Sequence, residues 1–140
     1  MHTVSLSGCD WVTDVAALAS VHTLDLSHCA QLRDVSPLVH VHDLNLASTY
    51  VEAVACLRLV HTLNLANCRR IKDDDVNALT LVHTLCLDGC DQLTTVHGLR
   101  HVHSLSLINC TGLTDVSMLG HVHTLDLTGC LNLTDYAIAA

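Results

Sequence analysis

Histidine and cysteine are the residues of this chain whose types and spacing could support chemistry. The 140 residues include twelve histidines and eight cysteines, and both side chains bind transition metals or cooperate in nucleophilic catalysis. Most of them recur once every 19 to 22 residues, which groups them into two columns. The histidine column contains His2, His22, His42, His61, His83, His103 and His123. The cysteine column contains Cys9, Cys29, Cys68, Cys90, Cys110 and Cys130.

A second, partial histidine column supplies the candidate metal site. His40, His101 and His121 each lie two residues before a member of the first column. Residues two apart on a strand point to the same side, so the four histidines of two adjacent repeats are predicted to form one patch. Imidazoles in such a patch can bind Zn²⁺, Ni²⁺ or Cu²⁺. The candidate ligands are His101, His103, His121 and His123.

Repetition favours a structural interpretation of the first histidine column. A residue that recurs in every unit of an array is usually there because neighbouring units stack. We therefore expect these side chains to bond to backbone groups where each strand begins. Metal binding would then be confined to the four-histidine patch, and no cofactor is predicted.

The cysteine column is predicted to consist of free, buried thiols. Equivalent residues of stacked repeats lie about 4.8 Å apart with parallel Cα–Cβ bonds, which suits neither a disulfide nor a tetrahedral zinc site. Free thiols favour a reducing compartment, and the opening Met-His-Thr-Val-Ser-Leu lacks the features of a signal peptide. We therefore expect an intracellular, cytoplasmic protein. Cys56 and Cys86 fall outside the column, and either could be exposed and reactive.

Enzymatic chemistry is not predicted, because the cysteines and histidines follow the repeat and do not form a distinct nucleophile–base pair. The sequence has no glycine-rich phosphate loop, metalloprotease helix motif or serine elbow. The run Asp73 to Asp75 could suggest Mg²⁺ binding, but consecutive side chains diverge, so we interpret it as a solvated helix start. A cysteine–histidine enzyme is the least favoured alternative.

Charge and hydropathy exclude two classes of partner. The formal net charge is −8 with histidine neutral, and only six lysines and arginines are present. Arg69, Arg70 and Lys72 adjoin the aspartates at 73 to 75, which argues against a surface that tracks nucleic-acid phosphates. No apolar run approaches the ~20 residues of a membrane span. We expect neither a nucleic-acid partner nor a membrane partner.

The two columns belong to a repeated unit that must position them. Its consensus is Val-His-Thr-Leu-x-Leu-x-x-Cys-x-x-Leu-Thr-Asp-Val-Ser-x-Leu-x-x. Leu-x-Leu predicts a strand with one buried face, and so short a period leaves room for one strand and one return, as in a solenoid of parallel strands. Apolar residues three apart predict a 3₁₀ or extended return, whose turns should be capped by Asp14, Asp34, Asp115 and Asp135. We predict one domain, 1-140, with repeats 1-20, 21-40, 41-59, 60-81, 82-101, 102-121 and 122-140 and no separate caps.

Two repeats depart from the consensus. Repeat three has lost one residue beside Thr49, which places a hydroxyl where the other repeats place a thiol. Repeat four gains two residues around Lys72 to Asp75, and Asp-Asp-Asp-Val-Asn-Ala-Leu is typical of a capped α-helical turn. We predict a local bulge there on the outer wall.

The tandem phrase Leu-x-Leu-x-x-Cys-x-x-Leu resembles the leucine-rich-repeat family over essentially all 140 residues. Ser7 to Cys9 and Cys110 to Asp115 are similar to the cysteine-containing class of F-box proteins, whose returns are true helices. Asp34 to Leu38 resembles the short internalin-like class, and Val-His-Thr-Leu is similar to tandem repeats of protist and giant-virus proteins. The resemblance implies an α/β, β-rich solenoid with about seven parallel strands on the concave side and short 3₁₀ or extended returns on the convex side. Parallel crossovers are generally right-handed, so we predict a right-handed superhelix.

The resemblance also implies a function, since family members mostly bind proteins through the concave sheet. We expect a non-enzymatic scaffold for protein–protein interaction or structural assembly, with a protein or peptide partner and a basic one favoured, because the face is small, polar and mildly acidic. The alternative is a histidine-rich metal-binding or pH-responsive module. Uncapped solenoid ends would also permit self-association. The candidate binding residues of the concave face are Thr23, Asp25, Asp43, Asn45, Asn64, Asp88, Ser106 and Asp126.

Overall fold

Seven short strands form at the predicted Leu-x-Leu positions. The computed structural model describes residues 2–134. In β2 to β6 the central leucine is buried and its two neighbours are half-buried, as expected where alternate side chains point to opposite faces. The strands are β1 (Thr3–Ser5), β2 (Thr23–Asp25), β3 (Asp43–Asn45), β4 (Thr62–Asn64), β5 (Thr84–Cys86), β6 (Ser104–Ser106) and β7 (Thr124–Asp126).

The strands form one parallel sheet in chain order, from β1 to β7. Equivalent repeat positions pair with each other, so that Leu44 lies opposite Leu24 on one side and Leu63 on the other. The register is the same on either side of repeats three and four, although their lengths differ from the consensus. The missing and extra residues are therefore accommodated in the returns, where no ladder of hydrogen bonds constrains chain length.

Five of the returns contain a single 3₁₀ turn, as the three-residue apolar spacing predicts. Three aspartates precede such turns and each accepts a hydrogen bond at 2.9 Å from the backbone N–H two residues further on. These are Asp14, Asp34 and Asp115, whereas the fourth predicted cap, Asp135, lies outside the described residues. The 3₁₀ turns are Ala16–Leu18, Ser36–Leu38, Ala55–Leu57, His97–Leu99 and Ser117–Leu119.

Repeat four carries the predicted bulge as a short helix, α1 (Asp73–Asn77). Asp73 accepts hydrogen bonds from the N–H of Thr94, at 2.8 Å, and from the hydroxyl of the same residue. Partial burial acts to raise the pKa of Asp73, but the hydrogen bonds from Thr94 outweigh it, and the pKa lies below its ordinary value. The Asn77 side chain accepts from the N–H of Gly98 at 2.8 Å. The bulge is thus tied to the return of repeat five at both of its ends.

The core is one continuous stack of leucine, valine and cysteine side chains between the sheet and the returns. Leu24, Leu44 and Leu85 are representative, with at most 2% of each side chain exposed. Each layer contacts the layers above and below it, so the stability of one repeat depends on its neighbours. Within residues 2–134, no helix is long and apolar enough to cross a bilayer.

One backbone feature recurs in every repeat and was not anticipated from the sequence. The residue before the cysteine position has a left-handed conformation, with φ between 58° and 76°. Glycine adopts it without strain and asparagine tolerates it, so the recurrence of these residues was the available signal. The conformation turns the chain out of the strand. The seven residues are Gly8, His28, Ser48, Asn67, Gly89, Asn109 and Gly129.

Candidate functional site: the concave sheet and the side-chain columns

The concave face carries all eight of the predicted binding residues. Seven lie within strands, where they flank the central leucine, and Asp88 follows β5 by two positions. Most are half-buried, because neighbouring strands lie only about 4.8 Å away on either side. Asp126, in β7, is exposed.

An open groove at the β1 to β4 end of the sheet brings part of this set together. Its volume is about 360 Å³, and its lining also includes Thr3, Ser5 and Thr62. Asp88, Ser106 and Asp126 belong to later repeats and lie outside it. The predicted residues in the groove are Thr23, Asp25, Asp43, Asn45 and Asn64.

Four of the predicted binding residues also have a structural task that sequence reasoning missed. Each accepts a hydrogen bond on its side-chain oxygen from the backbone N–H two residues on, at 2.9 to 3.0 Å. This bond closes an Asx turn where the strand ends. The recurrence of aspartate or asparagine at one repeat position was the signal. The four residues are Asp25, Asn45, Asn64 and Asp126.

In repeat six the same turn is closed by a side chain of repeat five. Ser106 occupies the position that Asp25 holds in repeat two, and its hydroxyl donates to Asp88 of the preceding repeat. The same Asp88 oxygen accepts the N–H of Ile108 at 2.9 Å. Asp88 and Ser106 are therefore bonded to each other and to the turn, which leaves them less available to a partner than their positions suggested.

Asp43 is the carboxylate of the groove with the most polar contacts. Its Oδ1 lies 3.0 Å from Nδ1 of His42, and its Oδ2 accepts from the Thr23 hydroxyl at 3.3 Å. Partial burial acts to raise the pKa of Asp43, but hydrogen bonds from His42, Thr62 and Thr23 outweigh it and hold the pKa below its ordinary value. The group is therefore ionised at neutral pH and contributes negative charge to the groove.

Six members of the histidine column form a stack of imidazole rings along one edge of the sheet. Consecutive ring centroids are 4.6 to 4.7 Å apart, and consecutive planes are inclined by 9° to 25°. This spacing matches the distance between strands, so the stack follows the sheet. The rings are those of His22, His42, His61, His83, His103 and His123.

Contrary to our expectation, no ring nitrogen of the histidine column forms a hydrogen bond to the backbone within residues 2–134. In three repeats Nδ1 lies 3.1 to 3.2 Å from the hydroxyl of the threonine that follows, and in His42 it meets the Asp43 carboxylate. The backbone carbonyl of each histidine forms the hydrogen bonds to the next repeat. The carbonyl of His22, for example, accepts the N–H groups of His42 and Asp43 at 3.0 Å. The expectation was wrong because the strand pairs through its backbone, while the rings project outward and stack on each other.

Parallel stacking does not favour chelation by adjacent rings. Within residues 2–134, three potential metal ligands converge at His22, His42 and Asp43, whose ligand atoms lie within 4.8 Å of one another. The lone pairs of two nearly parallel rings 4.6 Å apart do not point at a common ion held at about 2.0–2.1 Å from each nitrogen. A shared ion would require one of the rings to leave the stack.

The four predicted metal ligands occupy two kinds of position. His103 and His123 belong to the ring stack, with centroids 4.7 Å apart. His101 and His121 are exposed in the turns that precede β6 and β7. Metal binding by this patch stays a prediction.

The column cysteines are free thiols, and five of the six join successive repeats. Sγ donates to the backbone carbonyl of the second strand leucine in the preceding repeat, at 2.9 to 3.2 Å. Burial raises the pKa of the five thiols that make these bonds, that of Cys110 to about 12, so they remain protonated donors. The pairs are Cys29 with Leu6, Cys68 with Leu46, Cys90 with Leu65, Cys110 with Leu87 and Cys130 with Leu107.

Repeat three interrupts this cysteine ladder. The Thr49 hydroxyl donates to the carbonyl of Leu46 in its own repeat, at 2.7 Å, rather than to the preceding repeat. A carbon–oxygen bond is shorter than a carbon–sulfur bond, so the hydroxyl reaches less far than a thiol would. Cys68 bonds to the same carbonyl at 3.1 Å and lies 3.5 Å from the hydroxyl. The junction between repeats two and three therefore lacks the thiol bond found at its neighbours.

Cys56 and Cys86 are less accessible than we considered from the sequence. Both are half-buried. Burial raises the pKa of each thiol, that of Cys86 to about 11. Because the thiolate is the nucleophile, neither residue is activated at neutral pH. Neither thiol is therefore fully exposed or activated as a nucleophile, although both are partly accessible.

Thiol accessibility should separate the buried ladder from the remaining cysteines. We expect a thiol-specific chromogenic reagent at neutral pH to detect eight thiols in denatured protein. In native protein the fast phase should be limited to the three half-buried residues, Cys9, Cys56 and Cys86. The five buried thiols should react only as the protein unfolds. Fast reaction of four or more thiols in the native state would contradict the buried ladder.

Comparison with solved structures identifies the fold. Internalin C2 from Listeria monocytogenes is similar with a TM-score of 0.65 and 24% sequence identity, over 90% of this chain and 60% of that one. The functional domain of InlJ from Listeria monocytogenes, which includes a cysteine ladder, is similar with a TM-score of 0.53 and 19% identity, over 87% of this chain and 33% of that one. The chain therefore spans less than two thirds of either relative. No protein-family model and no curated protein matches it.

The shared features agree with the geometry described above. Seven parallel strands alternate with short returns, and five of these returns are 3₁₀ turns rather than the true helices of the F-box class. A column of cysteines joins the repeats, and the InlJ domain also includes a cysteine ladder. The chain has the leucine-rich-repeat fold of the internalin repeat domains.

Proposed function

We propose that the chain is a non-enzymatic binding module whose concave groove takes a basic segment of a partner protein. Leucine-rich-repeat domains are typically non-enzymatic and generally bind proteins. The observation that carries the proposal is the open groove across β1 to β4, where Asp25 and Asp43 place two carboxylates on one surface. Of the described residues that line this groove, none is a lysine or an arginine.

The dimensions of the groove suit a short extended peptide. Four strands span roughly 14 Å, three spacings of about 4.8 Å, which is the length of some four residues in extended conformation. Asn45 and Asn64 add amide groups beside the carboxylates, and these can bond to a peptide backbone. Because the ion pairs would be partly solvated, we expect modest affinity and strong weakening by salt.

Removing the two charges of the groove should weaken binding of a basic peptide. We expect the double variant Asp25→Asn, Asp43→Asn to bind a fluorescein-labelled lysine- and arginine-rich peptide about tenfold more weakly, because two charge-assisted contacts are lost. The substitution keeps an oxygen that can close the Asx turn, as Asn45 and Asn64 do in their own repeats. Fluorescence anisotropy at low and physiological salt measures the effect.

A matched control distinguishes this site from the general acidity of the protein. The double variant Asp10→Asn, Asp74→Asn also removes two exposed carboxylates, both outside the groove. It should bind the peptide within about twofold of the parent chain. Equal weakening in both double variants, or no weakening in either, would overturn the concave-groove proposal.

A histidine-rich metal-binding or pH-responsive module is the second candidate, and the stack of six imidazole rings is the observation that favours it. We rank it lower because nearly parallel rings do not converge on one ion. Calorimetric titration with Zn²⁺ tests it, and saturable binding at micromolar metal would reverse the ranking. Self-association through the solenoid ends also stays a prediction, which requires a mass in sedimentation equilibrium that rises with protein concentration.

A further inference from the structure

The shortened third repeat places a tyrosine between arginines of the two neighbouring repeats. The guanidinium carbon of Arg33 lies 5.3 Å from the centroid of the Tyr50 ring, and that of Arg70 lies 5.4 Å from it. Arg33 also donates to the carbonyls of Ala30 and Leu32, which anchors it to its own repeat. Cation–π contacts from both sides of the repeat hold the ring in place, although 47% of Tyr50 is exposed.

One groove opens beside this ring and a second opens beside Arg70, and Arg69 borders both of them. The larger has a volume of about 520 Å³ and is lined by Ser48, Thr49, Tyr50, Asn67 and Arg69. The smaller, about 280 Å³, is lined by Glu52, Arg69, Arg70, Lys72 and Gln92. We call Tyr50 with Arg33, Arg69, Arg70 and Lys72 the tyrosine–arginine surface.

This surface holds four of the six basic residues of a chain whose net charge is −8. Arg70 is paired with Glu52 at 3.0 Å, and Lys72 interacts electrostatically with Asp75 of α1. Arg69 makes no hydrogen bond or ion pair with any residue in the described range 2–134. Its guanidinium is exposed and is therefore available to an anionic group that is supplied from outside the chain.

We propose that the tyrosine–arginine surface is a second binding site, for an acidic segment of a partner protein. Arginine binds carboxylates through two parallel hydrogen bonds, and arginine and tyrosine are the residues most enriched at the centres of protein interfaces. Two adjoining grooves offer more room than one small anion fills. Four cations on an otherwise acidic chain are too few for a ladder of nucleic-acid phosphates. The site lies off the concave groove and does not depend on it.

A labelled poly-glutamate decapeptide tests the proposal by fluorescence anisotropy. Arg69→Gln should weaken its binding about tenfold, because it removes the unpaired charge without breaking a contact within the fold. Tyr50→Ala should weaken it by a similar factor through loss of the aromatic surface. Arg100→Gln removes the same charge from the end of a 3₁₀ turn outside both grooves, and should stay within about twofold of the parent chain. Thermal melts confirm that each variant is folded.

Three outcomes would overturn the proposal. The first is equal affinity of Arg69→Gln and Arg100→Gln for the acidic peptide. The second is displacement of the peptide by inorganic sulfate at an ionic strength where sodium chloride has no effect, which would indicate a simple anion site. The third is tighter, Arg69-dependent binding of a single-stranded oligonucleotide. Because the concave groove is tested with a basic peptide, failure at either site leaves the other result intact.

Discussion

Replacing Leu85 with alanine should lower the free energy of unfolding by roughly 2–5 kcal/mol, since it opens a cavity in a close-packed core. Leu85 is the central residue of β5, is 1% exposed and lies opposite Leu63 and Leu105 in the sheet. The cavity would adjoin three repeats at once. Only the sheet and the returns enclose the core, so no further layer of side chains is available to fill the cavity.

Urea unfolding followed by circular dichroism measures this loss, and Leu81→Ala is the matched control. Leu81 lies four residues earlier in the chain, but 62% of it is exposed. The same substitution there should change stability by no more than about 0.5 kcal/mol. If the two variants unfolded at the same urea concentration, the assignment of Leu85 to the central stack would be wrong.

Replacing Gly98 with alanine should destabilise the protein by about 1–3 kcal/mol, because an added methyl group has no room. A Cβ at this position would overlap the backbone carbonyl of Asn77, at the end of α1. The obstacle is main chain and cannot rotate away as a side chain would. The N–H of Gly98 also donates to the Asn77 side chain at 2.8 Å, so a shift would stretch that bond too.

Gly120→Ala is the control for this second prediction. Gly120 ends a 3₁₀ turn with φ of −60°, a conformation that alanine adopts freely. A Cβ there meets nothing within 4 Å. The variant should be as stable as the parent chain or slightly more stable, by about 0.4–1 kcal/mol, because the unfolded chain loses freedom. A Gly98→Ala variant with an unchanged melting temperature would show that α1 does not pack against the return of repeat five.

Binding by the predicted concave-face residues stays a prediction, and their contacts were not foreseeable in full. Apolar and polar residues alternate around Leu24 and Leu44, and this local pattern predicts which side chains face away from the core. The Asx turn of Asp25 was foreseeable too, since aspartate or asparagine recurs at that position. The sharing of Asp88 between Ser106 and Ile108 was not, because the bonds join residues 18 and 20 positions apart.

The histidine and cysteine columns also combine features that the sequence predicted with features that it did not. The buried, unpaired thiols followed from a fixed position in a stacked unit. The histidine rings were expected to bond to backbone, and they stack on each other instead. The orientation of a ring such as that of His42 depends on rotation about its side-chain bonds, which the rings on either side restrict. The repeat period in the sequence contains no information about that rotation.

The sequence by itself determined the solenoid, the parallel register and the 3₁₀ returns, because a 19 to 22 residue period repeats the same local choices of strand, turn and burial. Only the tertiary structure decided what happens where the period is broken. The Thr49 hydroxyl donates to a carbonyl of its own repeat, and Asn77 of α1 accepts the N–H of Gly98. Arg33 and Arg70 both contact the ring of Tyr50. These contacts join different repeats through side chains, and they exist only once the strands lie side by side about 4.8 Å apart.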